Sequence, residues 1–173
     1  TAAATLGRLR RAGVRRILLL TGDHRDRAAE LAAELSLDGF HAELMPEDKA
    51  RIIEELNAQG ARIAFVGDGI NDAPALAGAH VGIAMQKGAD IARLTADVAL
   101  LEDGIERVAD AKELADAVMA RIKGNYRLTV GLNSAILGTA ALGGLSPVAT
   151  ALLHNGTTIG ILLGAMRRLS LPR

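Results

Sequence analysis

Apolar positions follow two regimes along this chain. Up to about Arg127 they come in short bursts between charged stretches, and from Leu128 they become nearly continuous. Residues 16–20 (RILLL), 40–44, 62–66 (RIAFV), 80–84 and 97–101 each predict a short strand. The apolar run at 16–20 ends in Thr-Gly-Asp and does not alternate, which suits a parallel strand buried on both faces. Residues 2–12 predict a helix stopped by Gly13, and 25–35 a helix with an alanine/leucine face and Asp23 as its N-cap. A third helix opens at Pro46 and runs to about Gln59, closed by Gly60. A short helix is expected around 89–94, and a long one from Ile105 to about Arg127. Strands spaced by helical crossovers predict an α/β fold, a doubly wound parallel sheet. Ligands in such sheets bind beyond the carboxyl ends of the strands. Two polar loops fall there, Thr21-Gly22-Asp23 and Gly67-Asp68-Gly69.

The second regime predicts a transmembrane hairpin. Residues 128–145 and 148–166 are uncharged runs of 18 and 19 residues, joined at Ser146-Pro147. As helices they would span about 27–28 Å, close to a hydrocarbon core of roughly 30 Å. Arg121, Lys123 and Arg127 precede the pair and Arg167 and Arg168 follow it, so both outer ends are expected on the cytoplasmic side. A buried helical hairpin in a soluble core is the alternative. Gly156, Gly160 and Gly164 recur every four residues and would let one face pack closely on a neighbour. Asn133, His154, Asn155, Thr157 and Thr158 are costly in lipid and are expected to face a bundle interior. They could bind between helices by hydrogen bonds alone. They could also line a path for a borderline divalent metal, which imidazole and oxygen ligands suit better than copper(I); Asn133, His154, Asn155 and Thr158 are the candidates.

Composition removes several classes of function. The formal net charge is zero with bases and acids interleaved, and aromatics make up 2% of the chain, so neither a basic footprint nor a stacking platform for nucleic acid exists. With no cysteine there is no thiol nucleophile and no cysteine-based zinc site. The first residues are charged, lack an apolar signal-peptide core and do not begin with Met, so a longer parent chain is expected. Sixteen arginines against four lysines hint at a bacterial source.

The richest chemistry lies in residues 67–77, GDGINDAPALA. Asp68 and Asp72 place two carboxylates within about one turn. Alone they would repel a phosphate; with Mg²⁺ between, which takes one or two carboxylates plus phosphate oxygens, they would hold one. The string would also serve as a strand-to-helix turn with an Asp N-cap and a proline in the first turn. Two further residues favour the chemical reading. Thr21 offers a hydroxyl at the end of an earlier strand, and Lys49, in Pro46-Glu47-Asp48-Lys49, offers a cation at a helix start. Singly, Lys49 would be a solvated cation paired with Glu47 or Asp48. A hydroxyl, a lysine and an acidic glycine loop after successive strands make a phosphoryl-transfer layout.

Thr21-Gly22-Asp23, Pro46-Glu47-Asp48-Lys49 and the run from Gly67 to Leu76 resemble the C-terminal part of a P-type cation-transporting ATPase of the heavy-metal class, within the haloacid dehalogenase superfamily. The resemblance covers almost the whole chain, the two apolar runs falling where that family has its last membrane helices. It implies an incomplete haloacid dehalogenase-like phosphorylation domain at 1–104, a connecting helix at 105–127, and a transmembrane hairpin with a basic tail at 128–173. It implies Mg²⁺ as cofactor, ATP as substrate, and a multi-pass place in a bacterial plasma membrane with the soluble domain cytoplasmic. By the same resemblance Asp68 would bind Mg²⁺, while Thr21 and Asn71 would contact the phosphoryl group. Lys49 would offset its charge, Asp72 would orient Lys49, and Gly22 and Asp23 would lie towards the nucleotide.

The family's nucleophile is the aspartate of an Asp-Lys-Thr-Gly-Thr motif, which forms an aspartyl phosphate. That motif is missing here, as are the nucleotide-binding and actuator domains and the earlier membrane helices. The chain is therefore expected to be inactive alone and to work with the rest of an ATPase chain, a divalent heavy-metal ion and the lipid bilayer. His154-Asn155-Gly156-Thr157-Thr158 differs from the His-Glu-Gly-Gly-Thr string of cobalt-type members, so the expected cargo is zinc or manganese, then cobalt, then copper. A non-catalytic membrane subunit with the same phosphoryl and Mg²⁺ site is the alternative from another class, and a soluble phosphatase of the superfamily a third.

Overall fold

The computed structural model describes residues 1–67, 70–85, 94–102 and 104–167, arranged as two compact units, Thr1–Lys112 and Glu113–Arg173. The first unit opens with α1 (Ala2–Arg11), capped by the Thr1 hydroxyl, which accepts from the Ala4 amide at 3.4 Å. Arg8, Arg10 and Arg11 sit in its last turn, where the helix dipole favours cations. Strand β1 (Leu18–Leu20), helix α2 (Arg25–Glu34) and strand β2 (Gly39–His41) follow. The expected cap of α2 is displaced by one residue. His24 stands at the N-cap without a side-chain capping bond, because Asp23 is held in the preceding turn by its own backbone.

Helix α3 (Pro46–Ala58) starts on proline, and the Asp48 carboxylate accepts the Met45 amide at 3.0 Å. Strand β3 (Ala64–Gly67) leads through a 3-10 turn (Ile70–Asp72) into α4 (Ala73–Gly78), followed by β4 (Val81–Ala84) and β5 (Val98–Ala99). The helix expected at 89–94 lies, except for Leu94, outside the described residues. Helix α5 (Ile105–Ala141) begins in this unit.

All strand pairs are parallel, but they form two sheets, β2–β1 and β3–β4–β5. No ladder joins β1 to β3 among the described residues; in a doubly wound sheet the reversal of strand order between them would be the topological switch point. Each of these strands keeps one edge without a ladder partner among the described residues. This explains a departure from expectation: Leu18, Leu19 and Leu20 are half-buried rather than sealed on both faces, and Val66 is 37% exposed.

Helices cover both faces of the larger sheet. Phe65 pairs in register with Gly82, and both face α4, where Ile53, Ala75 and Leu76 close the core. Val66 pairs with Ile83 on the opposite face, where Leu6 and Leu9 of α1 meet Leu100, Val108 and Ala109. Burying Ile53 or Leu76, at 2% and 1% exposure, contributes about 1.5–3 kcal/mol each. Arg8 binds Asp110 at 2.7 Å, and Lys112 donates to the Ala12 carbonyl at 3.0 Å, fixing α1 to the start of α5.

Asp38 ties three segments together. Its carboxylate accepts the Ile17 amide at 2.7 Å and pairs with Arg10 at 3.0 Å. The Ile17 amide, then Arg10, hold its pKa below the usual aspartate value. A lowered folded pKa stabilises above the unfolded value of about 3.9, and that contribution disappears as pH falls through the folded pKa. Asp38→Asn should therefore melt earlier than the parent at pH 7, with the gap closing below about pH 4. A gap independent of pH would exclude the carboxylate as its source.

In the second unit α5 continues to Ala141 and α6 (Pro147–Ala165) returns antiparallel to it. No break separates the expected connecting helix from the expected first span. That span is also shorter than the 128–145 expected. Gly143 adopts φ +77°, and the Gly143 and Gly144 amides bond to the Ala140 and Thr139 carbonyls, closing the helix early. Ser146 caps α6 by accepting the Ala149 amide at 3.2 Å, with Pro147 in its first turn. Among the described residues α6 is the one helix long and apolar enough to cross a membrane, with mean hydropathy 1.3 and none of that stretch buried. Gly156, Gly160 and Gly164 meet nothing within 4 Å of an added Cβ, so their stripe faces no neighbour in the described structure.

Candidate functional site

The carboxyl ends of β1 and β3 carry the two polar loops, and α3 supplies a lysine that binds the second of them. Lys49, in the first turn of α3, donates from Nζ to Asp72 Oδ1 at 2.7 Å. The side chains keep 18% and 9% of their exposure, so the pair is largely out of water. Asp72 stands at the N-cap of α4, yet its carboxylate caps nothing: it turns to Lys49. Glu47 and Asp48 do not compete for the lysine, since Asp48 takes the Met45 amide and Arg51. A Cβ on Gly67 would stand 2.8 Å from Asp72 Cβ and 2.9 Å from Oδ2, so only glycine lets Asp72 lie against the end of β3.

The turn after β1 is held by its own backbone. Thr21 donates its amide to the His41 carbonyl at 3.0 Å, and its Oγ1 accepts the Asp23 amide at 3.1 Å. The Thr21 O–H is left to donate elsewhere. Gly22 sits close against the next segment: a Cβ there would lie 3.3 Å from the Leu44 carbonyl oxygen, so that backbone would have to give by a few tenths of an ångström. The Asp23 and Asn71 side chains are exposed at the two loops. Asp68 lies outside the described residues, and among the described residues no group of three His, Asp or Glu could hold a metal ion. Reasoning from sequence missed Glu43, whose backbone at φ +57° clasps the Thr21 turn. No motif marks it, since a left-handed glutamate has no compositional signature.

The second unit has a polar contact of its own. His154 Nδ1 lies 3.0 Å from Asn133 Oδ1, bridging α6 and α5. Thr157 and Thr158 both donate their hydroxyls to the His154 carbonyl at 2.9 Å, the ordinary back-bonding of threonine within a helix. Asn155 is exposed and does not join the pair. His154 and Thr158 are themselves exposed in the described structure.

The comparisons with known proteins agree with both units. Residues 1–80 match the haloacid dehalogenase-like hydrolase family. The chain is 46% identical to a manganese-exporting P-type ATPase of Mycobacterium leprae over 96% of its length and 23% of the relative's. The same identity and coverage relate it to a zinc-exporting P-type ATPase of Mycobacterium marinum. The crystal structure of a zinc-transporting PIB-type ATPase in the E2.Pi state superposes with TM-score 0.87 at 41% identity, covering 95% of this chain and 27% of that one. The chain thus spans about a quarter of the length of the curated relatives it matches, and over that span it is similar to the part of these P-type ATPases that carries the haloacid dehalogenase-like fold.

Proposed function

We propose that the chain supplies the phosphoryl-binding side of an aspartyl-phosphate site, together with a membrane hairpin, to an ATP-driven exporter of a divalent heavy metal. The observation that carries this reading is the buried Lys49–Asp72 pair at the mouth of β3. A phosphoryl group arriving at the switch point would meet the Lys49 ammonium, which Asp72 holds in place, and would accept from the Thr21 hydroxyl and the Asn71 amide. Gly22 and Asp23 would border the nucleotide. Such fixed donors lower a barrier because they need not reorganise as charge moves onto the phosphoryl oxygens.

Mg²⁺ fits the donor set. It needs one or two carboxylates plus phosphate oxygens, and with Asp72 engaged by Lys49, Asp68 is the loop carboxylate that would hold it. When bound it would offset phosphoryl charge. The open edges of β1 and β3 suit a further strand from the rest of an ATPase chain, which would bring the aspartate nucleophile to the switch point. We place the soluble unit on the cytoplasmic side of a bacterial plasma membrane in a multi-pass protein, with residues 1–104 as the phosphorylation-domain part, 105–127 connecting and 128–173 in and beyond the bilayer. Asn133, His154, Asn155 and Thr158 would line the metal path, with zinc or manganese as cargo, the metals the relatives' names carry.

The test uses the full-length protein in proteoliposomes. ATP should yield an acid-stable phosphoenzyme, and zinc or manganese should raise turnover several-fold. His154→Ala should lose most of that stimulation while still accepting phosphate from inorganic phosphate. A protein forming no phosphoenzyme, yet binding a phosphate analogue with Mg²⁺, would instead be a non-catalytic subunit.

A further inference from the structure

We propose that Glu43 is a positioning residue for the phosphoryl-binding turn, its left-handed backbone folding residues 41–44 into a strap that aims the Thr21 hydroxyl. This rests on the reading of Thr21 as a phosphoryl contact. Glu43 adopts φ +57°, a region that glycine enters freely and asparagine more readily than most residues, whereas β-branched residues avoid it. The kink ends β2 at His41 and carries the chain along the turn instead.

Three backbone bonds then link strap and turn. Thr21 N–H donates to the His41 carbonyl at 3.0 Å, Leu44 N–H to the Thr21 carbonyl at 3.1 Å, and Glu43 N–H to the Asp23 carbonyl at 2.9 Å. The Leu44 carbonyl oxygen lies 3.3 Å from where a Gly22 Cβ would stand, so the strap is seated directly on the turn. Within the turn, the Asp23 amide occupies Thr21 Oγ1 at 3.1 Å, which leaves the hydroxyl hydrogen to point away from that amide. Release of the strap would free all three residues of the turn at once.

The Glu43 carboxylate is a lesser part. Among the described residues it reaches only His24 Nδ1 at 3.4 Å, with side-chain exposures of 61% and 95%, a contact that solvent screens. Backbone conformation, rather than charge, is what this residue contributes.

The experiment measures the apparent affinity for inorganic phosphate in Mg²⁺-dependent phosphoenzyme formation by the full-length protein, at a temperature where each variant is fully folded. Glu43→Gly and Glu43→Asn, which accept positive φ, should stay within about twofold of the parent. Glu43→Val should bind phosphate about tenfold more weakly or worse, because small displacements of a positioned group are costly. Glu43→Thr, also β-branched, stands in if the valine variant does not fold, and its expected loss is at least about twofold. Parent-like affinity in Glu43→Val, or in its threonine stand-in, overturns the proposal. So does a loss in Glu43→Gly equal to that in Glu43→Val, since the side chain would then be what matters. Thr21→Ala run in parallel separates the two layers. If it leaves phosphate affinity unchanged, the reading of Thr21 itself fails; if it weakens binding while Glu43→Val does not, only the positioning role fails.

Discussion

Asp72→Ala is expected to lower the stability of the first unit by about 3 kcal/mol, because it strands the Lys49 ammonium in a place largely closed to water. An exposed ion pair would contribute only about 0–1 kcal/mol, and the 18% and 9% side-chain exposures put this pair in the other class. In a unit of this size the loss should appear as a fall in melting midpoint of roughly 10 °C. Phosphoenzyme formation should fall below detection, since the ammonium would lose the partner that fixes it. Lys49→Met combined with Asp72→Leu separates the two effects. Replacing both charges by apolar groups of similar size should restore much of the stability, as is common for buried pairs, while activity stays lost. A drop of less than about 1 kcal/mol in Asp72→Ala would mean that water reaches the pair and screens it.

Gly82→Ala should be the most damaging single methyl group in the larger sheet. A Cβ at Gly82 would stand 2.6 Å from the Leu76 carbonyl oxygen and 3.2 Å from its carbonyl carbon. Those atoms are helix backbone, so α4 as a whole would have to lift from β4, loosening Leu76 and Ala75, which are 1% and 0% exposed. Overpacking of this kind costs about 1–3 kcal/mol or more. The displacement also reaches the site, because Asp72 immediately precedes α4. Gly78→Ala is the control. Its added Cβ would come no closer than 3.7 Å to Ile53 Cγ2, and alanine favours a helix by up to about 1 kcal/mol over glycine. Chemical denaturation of the two variants should rank Gly82→Ala well below the parent and Gly78→Ala at or above it. Equal midpoints would exclude the close approach of α4 to β4 as a constraint.

Much of this architecture was legible from order and spacing. Apolar bursts between Gly and Pro punctuation placed the ends of β1, β3, β4 and β5 within two residues, because short parallel strands and their crossovers leave a strong local pattern, whereas β2 stops three residues before its expected end. Pro46 and Gly60 bounded α3 correctly to within a residue, since both act through their own backbone angles. The ends of elements were less legible where side chains had rival partners. Asp23 has the composition of an N-cap but is spent on the Thr21 turn, and Asp72 has the same composition but turns to Lys49.

The sequence alone determined the family signature, the parallel α/β order and the change from charged to apolar composition at Leu128, because each is written in consecutive residues. Tertiary structure decided the rest. It paired Lys49 with Asp72 across 23 residues, joined His154 to Asn133 across 21, and placed Glu43 in a left-handed conformation against the Thr21 turn. It also divided the strands into two sheets with open edges at β1 and β3. Long-range contacts of this kind depend on which surfaces meet once the chain is compact, and local propensity carries no record of that choice.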